Sequence, residues 1–305
     1  MTTAVNTTPS LTSQFANTLL SIKPLANLAK QQARNMMIKR AERIGVPWRQ
    51  RVQELRTHDW DSELAEVQNP HLTYPDYYFR SFHAYDDGNL SWDAALEVEV
   101  AAYTVHAGIW PDAGAKGDPQ LRQSYHNIVK EQITIQPQDI LDLACGVGLS
   151  TFALQQIYPQ ANFTGVDLSP YFLAVARYNS RQRNTQINWK HATAESTGLP
   201  DASFDLVSTF LLFHELPQMA TRQILCEVRR LLRPGGYLSI MDMNPKSEIY
   251  AKMPPYILTL LKSTEPYLDE YFSLDIEQAI VDAGFHPPTI TRNSPRHRTI
   301  VAQVK

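Results

Sequence analysis

The stretch Gln138-Asp139-Ile140-Leu141-Asp142-Leu143-Ala144-Cys145-Gly146-Val147-Gly148-Leu149-Ser150-Thr151 decides how the chain is read. Ile140, Leu141 and Leu143 form the short apolar run of a strand buried on both faces. The run breaks into small residues, Ala144 to Gly148, which let the backbone turn sharply and approach a ligand closely. Leu149 to Tyr158 then reads as a helix, with Ser150 or Thr151 near its start. Strand, glycine turn and helix N-terminus together make the nucleotide-binding corner of a doubly wound sheet. Asp142, a carboxylate inside the strand just before the turn, sets this corner apart from an ordinary dinucleotide site.

Working outward, strand and helix signals alternate from Tyr125 onward, which predicts a parallel α/β sheet. Strands are expected at 139–144, 162–167, 187–191, 204–210, 236–242, 287–292 and 297–304, with helices at about 149–158, 170–182, 217–232 and 274–284. Phe163-Thr164-Gly165-Val166-Asp167 is a short strand ending in an acid. Asp167 follows Gly148 by 19 residues, about where a doubly wound fold offers a carboxylate to ribose hydroxyls. The interval 246–272 is long for a connection, rich in Tyr and Pro, and helical around Leu258 to Leu261. It predicts a covering insertion at the carboxyl edge of the sheet.

The N-terminal part divides by charge. Residues 1–56 carry a net +7, whereas residues 57–120 carry −10, so the two segments are expected to pack on each other. The first holds a basic helix with apolar positions Ile22, Leu25, Ala29, Ala33, Met36 and Met37, started by Pro24 and ended by Gly45 and Pro47. Residues 18–45 therefore have two readings, a peripheral contact with an anionic membrane or a solvated helix packed on its own domain. The acidic segment is rich in aromatics, among them Tyr74, Tyr77, Tyr78, Phe79, Phe82, Tyr85 and Trp92, which form either satellite core or a lid. Ser91 is placed to cap a helix over 92–106.

Over the whole chain 28 basic residues face 31 acidic ones, which argues against nucleic acid as a partner. No run reaches the ~20 apolar residues of a membrane span. The start, Met1 to Asn17, lacks the basic-then-apolar pattern of a secretory signal. Cys145 and Cys226 give neither a disulfide framework nor metal-ligand spacing. A reduced, cytoplasmic setting is the expectation.

Two further runs complete the pattern: Leu199-Pro200-Asp201-Ala202-Ser203-Phe204-Asp205, and Leu231-Leu232-Arg233-Pro234-Gly235-Gly236 ahead of the fifth strand. With Ala283-Gly284-Phe285 before the last two strands, these motifs resemble the class I S-adenosylmethionine-dependent methyltransferases. They are most similar to the small-molecule group that contains the ubiquinone and menaquinone methyltransferases. The family's acid-x-Gly-x-Gly-x-Gly run appears as Asp142-Leu143-Ala144-Cys145-Gly146-Val147-Gly148, with Ala144 in place of the first glycine. The resemblance covers Tyr125 to the C-terminus. It implies a Rossmann-like doubly wound, seven-stranded, mostly parallel sheet at 125–305, behind a mainly helical cap at 1–124. It also implies S-adenosylmethionine as cofactor, held by Asp142, Ala144, Gly146, Gly148, Asp167, Leu168, Thr193, Ala194, Glu195 and Phe210. In that scheme Asp142 supplies negative potential to the ammonium end, Asp167 accepts from the ribose, and Thr193 to Glu195 lie near the adenine.

Chemistry is expected after the fourth strand, in Phe210-Leu211-Leu212-Phe213-His214-Glu215. A phenol, enol or quinol acceptor gains from a base near neutral pKa, and His214 is the best-placed residue. The other reading of His214 is a loop or helix-capping histidine. The loop lacks the Asn-Pro-Pro-Tyr type run used on amide nitrogens, and Asp242 and Asn244 have no partner for a metal site. The expected activity is methyl transfer to a small, largely apolar acceptor, a quinol, phenol or isoprenoid-like molecule. The alternatives are a protein methyltransferase that docks its substrate on the N-terminal region, and a non-catalytic protein that binds S-adenosylmethionine.

Overall fold

The computed structural model describes residues 23–80 and 85–305 and, in its first helix, side chains from Gln31 onward. The Thr- and Ser-rich start, residues 18–22 of the basic segment (Ile22 with them) and Phe82 lie outside the described residues, and Leu25 and Ala29 come before the first described side chain.

Seven strands form one sheet in the order β3-β2-β1-β4-β5-β7-β6. They are β1 (Asp139–Leu143), β2 (Asn162–Asp167), β3 (Asn188–His191), β4 (Phe204–Phe210), β5 (Leu232–Met243), β6 (Thr289–Arg292) and β7 (His297–Gln303). β1 to β5 run parallel, while β7 is antiparallel to both β5 and β6. Ile140, Leu141 and Leu143 are fully buried, as the apolar run of β1 requires of a strand covered on both faces. The strand order reverses between β1 and β4, and the crevice at their carboxyl ends is where such sheets bind ligands.

Twelve helices are described. α1 (Lys23–Arg43), α2 (Trp48–Arg56), α3 (Asp61–Val67), α4 (Trp92–His106) and α5 (Gly117–Gln132) precede the sheet. α6 (Leu149–Ile157), α7 (Pro170–Arg183) and α8 (Gln218–Leu231) connect its parallel strands. Ser91 caps α4 by accepting from the Ala94 N–H. Neither Ser150 nor Thr151 caps α6; its N-cap is Gly148, at φ 85°, and both hydroxyls bond elsewhere.

Two strand starts differ from expectation by more than one residue. β5 starts at Leu232 rather than 236, and its pairing with β4 shifts register between Phe204 and Leu206. Arg233 pins that irregular start by pairing with Asp205 at 2.7 Å and Asp139 at 2.8 Å. β6 starts at Thr289 rather than 287, because Pro287 and Pro288 have no N–H to give a ladder. The interval 246–272 holds three helices, α9 (Glu248–Ala251), α10 (Pro255–Thr264) and α11 (Leu268–Ser273), and the helix expected around Leu258 to Leu261 is α10. α12 (Ile276–Asp282) follows, capped by Asp275.

The opposite charges of the N-terminal segments do meet. Arg34 pairs with the fully buried Glu97, Arg51 lies 3.0 Å from Glu99, and Arg56 lies 2.5 Å from Asp93. From Gln31 onward α1 therefore packs on α4, with Ile38 and Ala41 buried in a cluster that includes Val100. The segment is also tied to the sheet layer. Glu63, fully buried, pairs with Arg177 of α7 at 2.9 Å, and the Ser169 hydroxyl donates to the Asn89 carbonyl at 2.7 Å. No helix among the described residues is long and apolar enough to cross a membrane.

Candidate active site

At the carboxyl ends of the parallel strands lies a cavity of about 760 Å³, bounded also by residues of α1, α4, α9 and α10. That volume falls in the range of small-molecule sites. Its floor is the glycine corner. Gly146 sits at φ 55° on the cavity wall, and a Cβ there would meet nothing within 4 Å. Gly148, at φ 85°, is different: a Cβ would lie 2.8 Å from the Phe152 ring and 2.9 Å from that of Trp189. One glycine keeps space open beside the cavity, and the other lets two rings close over the turn.

Asp167, at the end of β2, lines the cavity and accepts a backbone N–H on each oxygen, from Gly146 at 2.7 Å and Ser169 at 2.8 Å. Burial pushes its carboxyl up to about 6 against those donors. Asp142 lies beneath the turn and does not line the cavity. It is fully buried, takes the Thr151 hydroxyl on Oδ2 at 2.6 Å, and has no partner on Oδ1. Burial raises it to about 7, with Thr151 and the nearby Arg122 opposing the rise.

Arg122, on α5, reaches the cavity beside the same corner. Its Nε donates to Asp118 at 2.9 Å, one terminal nitrogen donates to Asp118 at 3.2 Å, and the other to the Ser150 hydroxyl at 2.5 Å. The guanidinium also stacks 4.3 Å from the centre of the Phe210 ring. His106 completes the row, with Nδ1 2.7 Å from Asp118, and the charges of Arg122 and His106 hold Asp118 far below the usual carboxylate range despite its burial. Of the five guanidinium N–H groups, three are used in these bonds.

Beyond β3 the cap reaches over the corner. The Tyr77 hydroxyl donates to Glu195 at 2.5 Å, while the second oxygen of Glu195 is buried without a partner. Tyr74 and the Asn69 N–H both bond His191, at 3.1 and 2.9 Å. Tyr78 lines the cavity, and burial raises its phenol, with Asp167 and Glu215 adding to the rise.

At the end of β4 the chain passes through Leu211, at φ 61°, into a single 3₁₀ turn over Phe213–Glu215. His214 is buried there, on the cavity wall, with Nδ1 2.8 Å from Oδ1 of Asp242 on β5. Asp242 is fully buried and also accepts the N–H groups of Phe213 at 2.8 Å and Met243 at 2.7 Å. Burial alone would lower the imidazole, but the Asp242 carboxylate outweighs it and pushes His214 up to about 10. The sequence reading expected a base near neutral pKa; the Asp242 carboxylate instead makes His214 a much stronger base, held as part of a buried ion pair.

Of the residues nominated from the sequence, Ala144, Gly146, Asp167, Leu168, Ala194, Phe210 and His214 share the cavity wall. Asp142, Gly148, Thr193 and Glu195 stand behind it. Sequence reading missed Arg122 and passed over Asp242, which it weighed only as a metal ligand. The available signal was the strand alternation: Asp242 ends β5 beside the β4 loop that carries His214.

A model of a methyltransferase domain matches residues 140–236. An uncharacterized methyltransferase of Synechocystis is 30% identical over 164 residues, 53% of this chain and 74% of that protein. A ubiquinone biosynthesis O-methyltransferase of Pseudomonas aeruginosa is 29% identical over 170 residues, 53% of this chain and 71% of that protein. Phosphoethanolamine N-methyltransferase 2 of Haemonchus contortus, solved with S-adenosyl-L-methionine, superposes with a TM-score of 0.54. It is 14% identical, over 77% of this chain and 60% of that one, a likeness of fold alone. The chain belongs to the class I S-adenosylmethionine-dependent methyltransferases, and S-adenosylmethionine is its cofactor.

Proposed function

We propose that the chain methylates an oxygen of a small, largely apolar acceptor, a phenol, quinol or isoprenoid-like alcohol. The observation that carries this reading is the buried His214–Asp242 pair on the cavity wall. A hydroxyl must give up its proton to become a good nucleophile, and a phenol titrates near 10. His214, pushed up to about 10, matches that proton affinity. The O-methyltransferase of ubiquinone biosynthesis among the relatives supports the same reaction type.

When bound, the cofactor supplies an electrophilic methyl group on a sulfonium. The protein's part is to hold the acceptor in line with it and to manage one proton. With Nδ1–H donated to Asp242, Nε2 is the atom left for the acceptor. A neutral imidazole takes the hydroxyl proton on Nε2; an imidazolium instead receives the acceptor as its anion. Both routes give an acceptor oxyanion hydrogen-bonded by Nε2–H, beside an imidazolium neutralised by Asp242.

At the cofactor end we assign Asp167 to the ribose hydroxyls, since each oxygen accepts one N–H and keeps a second acceptor position. Gly146 leaves the space such a ligand needs. The two unused N–H groups of Arg122 suit the amino-acid carboxylate. Leu168, Ala194 and Phe210 supply apolar contacts, and Ala144 lets the turn stay close. Asp142 and Gly148 act by shaping the turn, and Tyr77 holds Glu195, beside Thr193, under the adenine. In this scheme residues 1–124 are the cap, 125–305 the catalytic domain and 246–272 the lid.

Calorimetry with S-adenosylmethionine tests the cofactor end. Asp167→Ala should weaken binding at least tenfold, the scale of one hydrogen bond to a charged group, and unchanged affinity removes Asp167 from the ribose. Labelled methyl transfer to phenols and quinols, with the product's methyl position read by NMR, tests the rest. Methyl on carbon or nitrogen would rule out the oxygen reading.

A further inference from the structure

We propose that the face of α4 turned to the cavity seats a hydrocarbon tail carried by the methyl acceptor, so that the substrate is a head-and-tail molecule. The inference rests on the O-methyl transfer reading above and adds to it where the rest of the substrate lies. Ala94, Val98, Ala101, Ala102 and Val105 all line the cavity, and their spacing puts them on one side of the helix. The other side, Leu96, Val100 and Thr104, is buried in the protein core. From Ala94 to Val105 the stripe runs about 17 Å at the helical rise.

None of these five side chains can hydrogen-bond, and three are alanines, so the wall is apolar and recessed from Ala94 to Ala102, with Val105 at its exposed end. Water there would find few partners, whereas methylenes would be removed from water. Ala33 and Met37 of α1 line the same cavity. The charged residue between them, Arg34, is neutralised by Glu97, which the Tyr85 hydroxyl also bonds at 2.8 Å. Of the polar lining, Asp167 and His214 lie at the strand ends, while Arg122 and His106 meet through Asp118 at the C-terminal end of α4, beyond Val105. The cavity thus has a polar, reactive end and an apolar flank, and an acceptor that fills both must carry the same division.

The test uses the full chain and 4-alkylphenols from methyl to nonyl. Calorimetry on protein loaded with S-adenosylhomocysteine should show affinity rising about fourfold per added methylene, then levelling once the stripe is filled. Ala102→Phe, at a half-buried position, should cost the nonyl compound tenfold or more and the methyl compound less than twofold. Val105→Trp, at a side chain that is 49% exposed, serves if the first variant folds poorly. Flat affinity along the series, or chain-length gain that neither variant reduces, overturns the tail seat. Chain-length gain without methyl transfer would leave the seat and sink the O-methylation reading. Methyl transfer to 4-methylphenol without chain-length gain would do the reverse.

Discussion

His214 Nδ1 and Asp242 Oδ1 lie 2.8 Å apart, both buried, and join the turn after β4 to the end of β5. The same carboxylate holds the turn's backbone through the N–H groups of Phe213 and His214. One side chain therefore fixes both the position of the histidine and its charge.

Asp242→Asn should break that coupling in a way NMR can read. With that carboxylate gone, burial is opposed only by the charges of Glu265 and Glu215, and the His214 ring should titrate well below 10. Removing one partner of a buried pair should also cost about 3–5 kcal/mol of stability. In the wild type the folded pKa, about 10, lies above the unfolded one. The pair's contribution is therefore complete below about pH 6.5 and is lost as pH rises through 10. Chemical denaturation should show the wild type's advantage over Asp242→Asn shrinking across that window; a constant advantage would mean the pair is not charged.

The two glycines of the corner should fail differently. Gly146→Ala puts a methyl into open space at positive φ, so it should cost about 1 kcal/mol of stability yet weaken S-adenosylmethionine binding clearly. Gly148→Ala drives a methyl into Phe152 and Trp189 and should lower the melting temperature by several degrees. Equal losses of stability in both variants would contradict the separate roles.

Substituting Asp142 should change stability in the direction opposite to Asp242→Asn. Its folded pKa, about 7, lies above the unfolded value of about 3.9. The stability this group contributes is present below about pH 3.9 and is lost as pH rises through 7. Asp142→Asn should therefore stabilise the fold at pH 8 and change it little at pH 4, as melting curves at the two pH values would show. A variant less stable at pH 8 would mean the carboxylate has a compensating partner.

The strand that carries Asp142, the glycine turn and Asp167 were legible because they are local: an apolar run, small residues at a turn, and an acid at a strand end. The mostly parallel sheet followed from the regular alternation of strands and helices. What escaped reading depends on approach between distant parts of the chain. Asp142 looked like a ligand from its place in the motif, but only packing shows that Thr151 covers it and the cavity lies elsewhere. Arg122 sits in a helix with nothing local to mark it, and its neighbours Asp118, Ser150 and Phe210 span 93 positions of sequence. The pKa of His214 could not be foreseen without Asp242 beside it. Charge segregation between residues 1–56 and 57–120 did predict packing, and Arg34–Glu97, Arg51–Glu99 and Arg56–Asp93 are that packing.

If His214 acts on the acceptor's hydroxyl, as proposed, and the cofactor is held elsewhere, one variant separates the two functions. His214→Gln keeps the size and polarity of the side chain but carries neither the base nor the charge. Measured together, turnover of a methylated phenol or quinol and the Kd for S-adenosylmethionine separate the two functions. Turnover should fall by about 10²–10⁴, with cofactor affinity within twofold of wild type. Wild-type turnover in His214→Gln, or an equal loss of cofactor binding, would contradict that proposal.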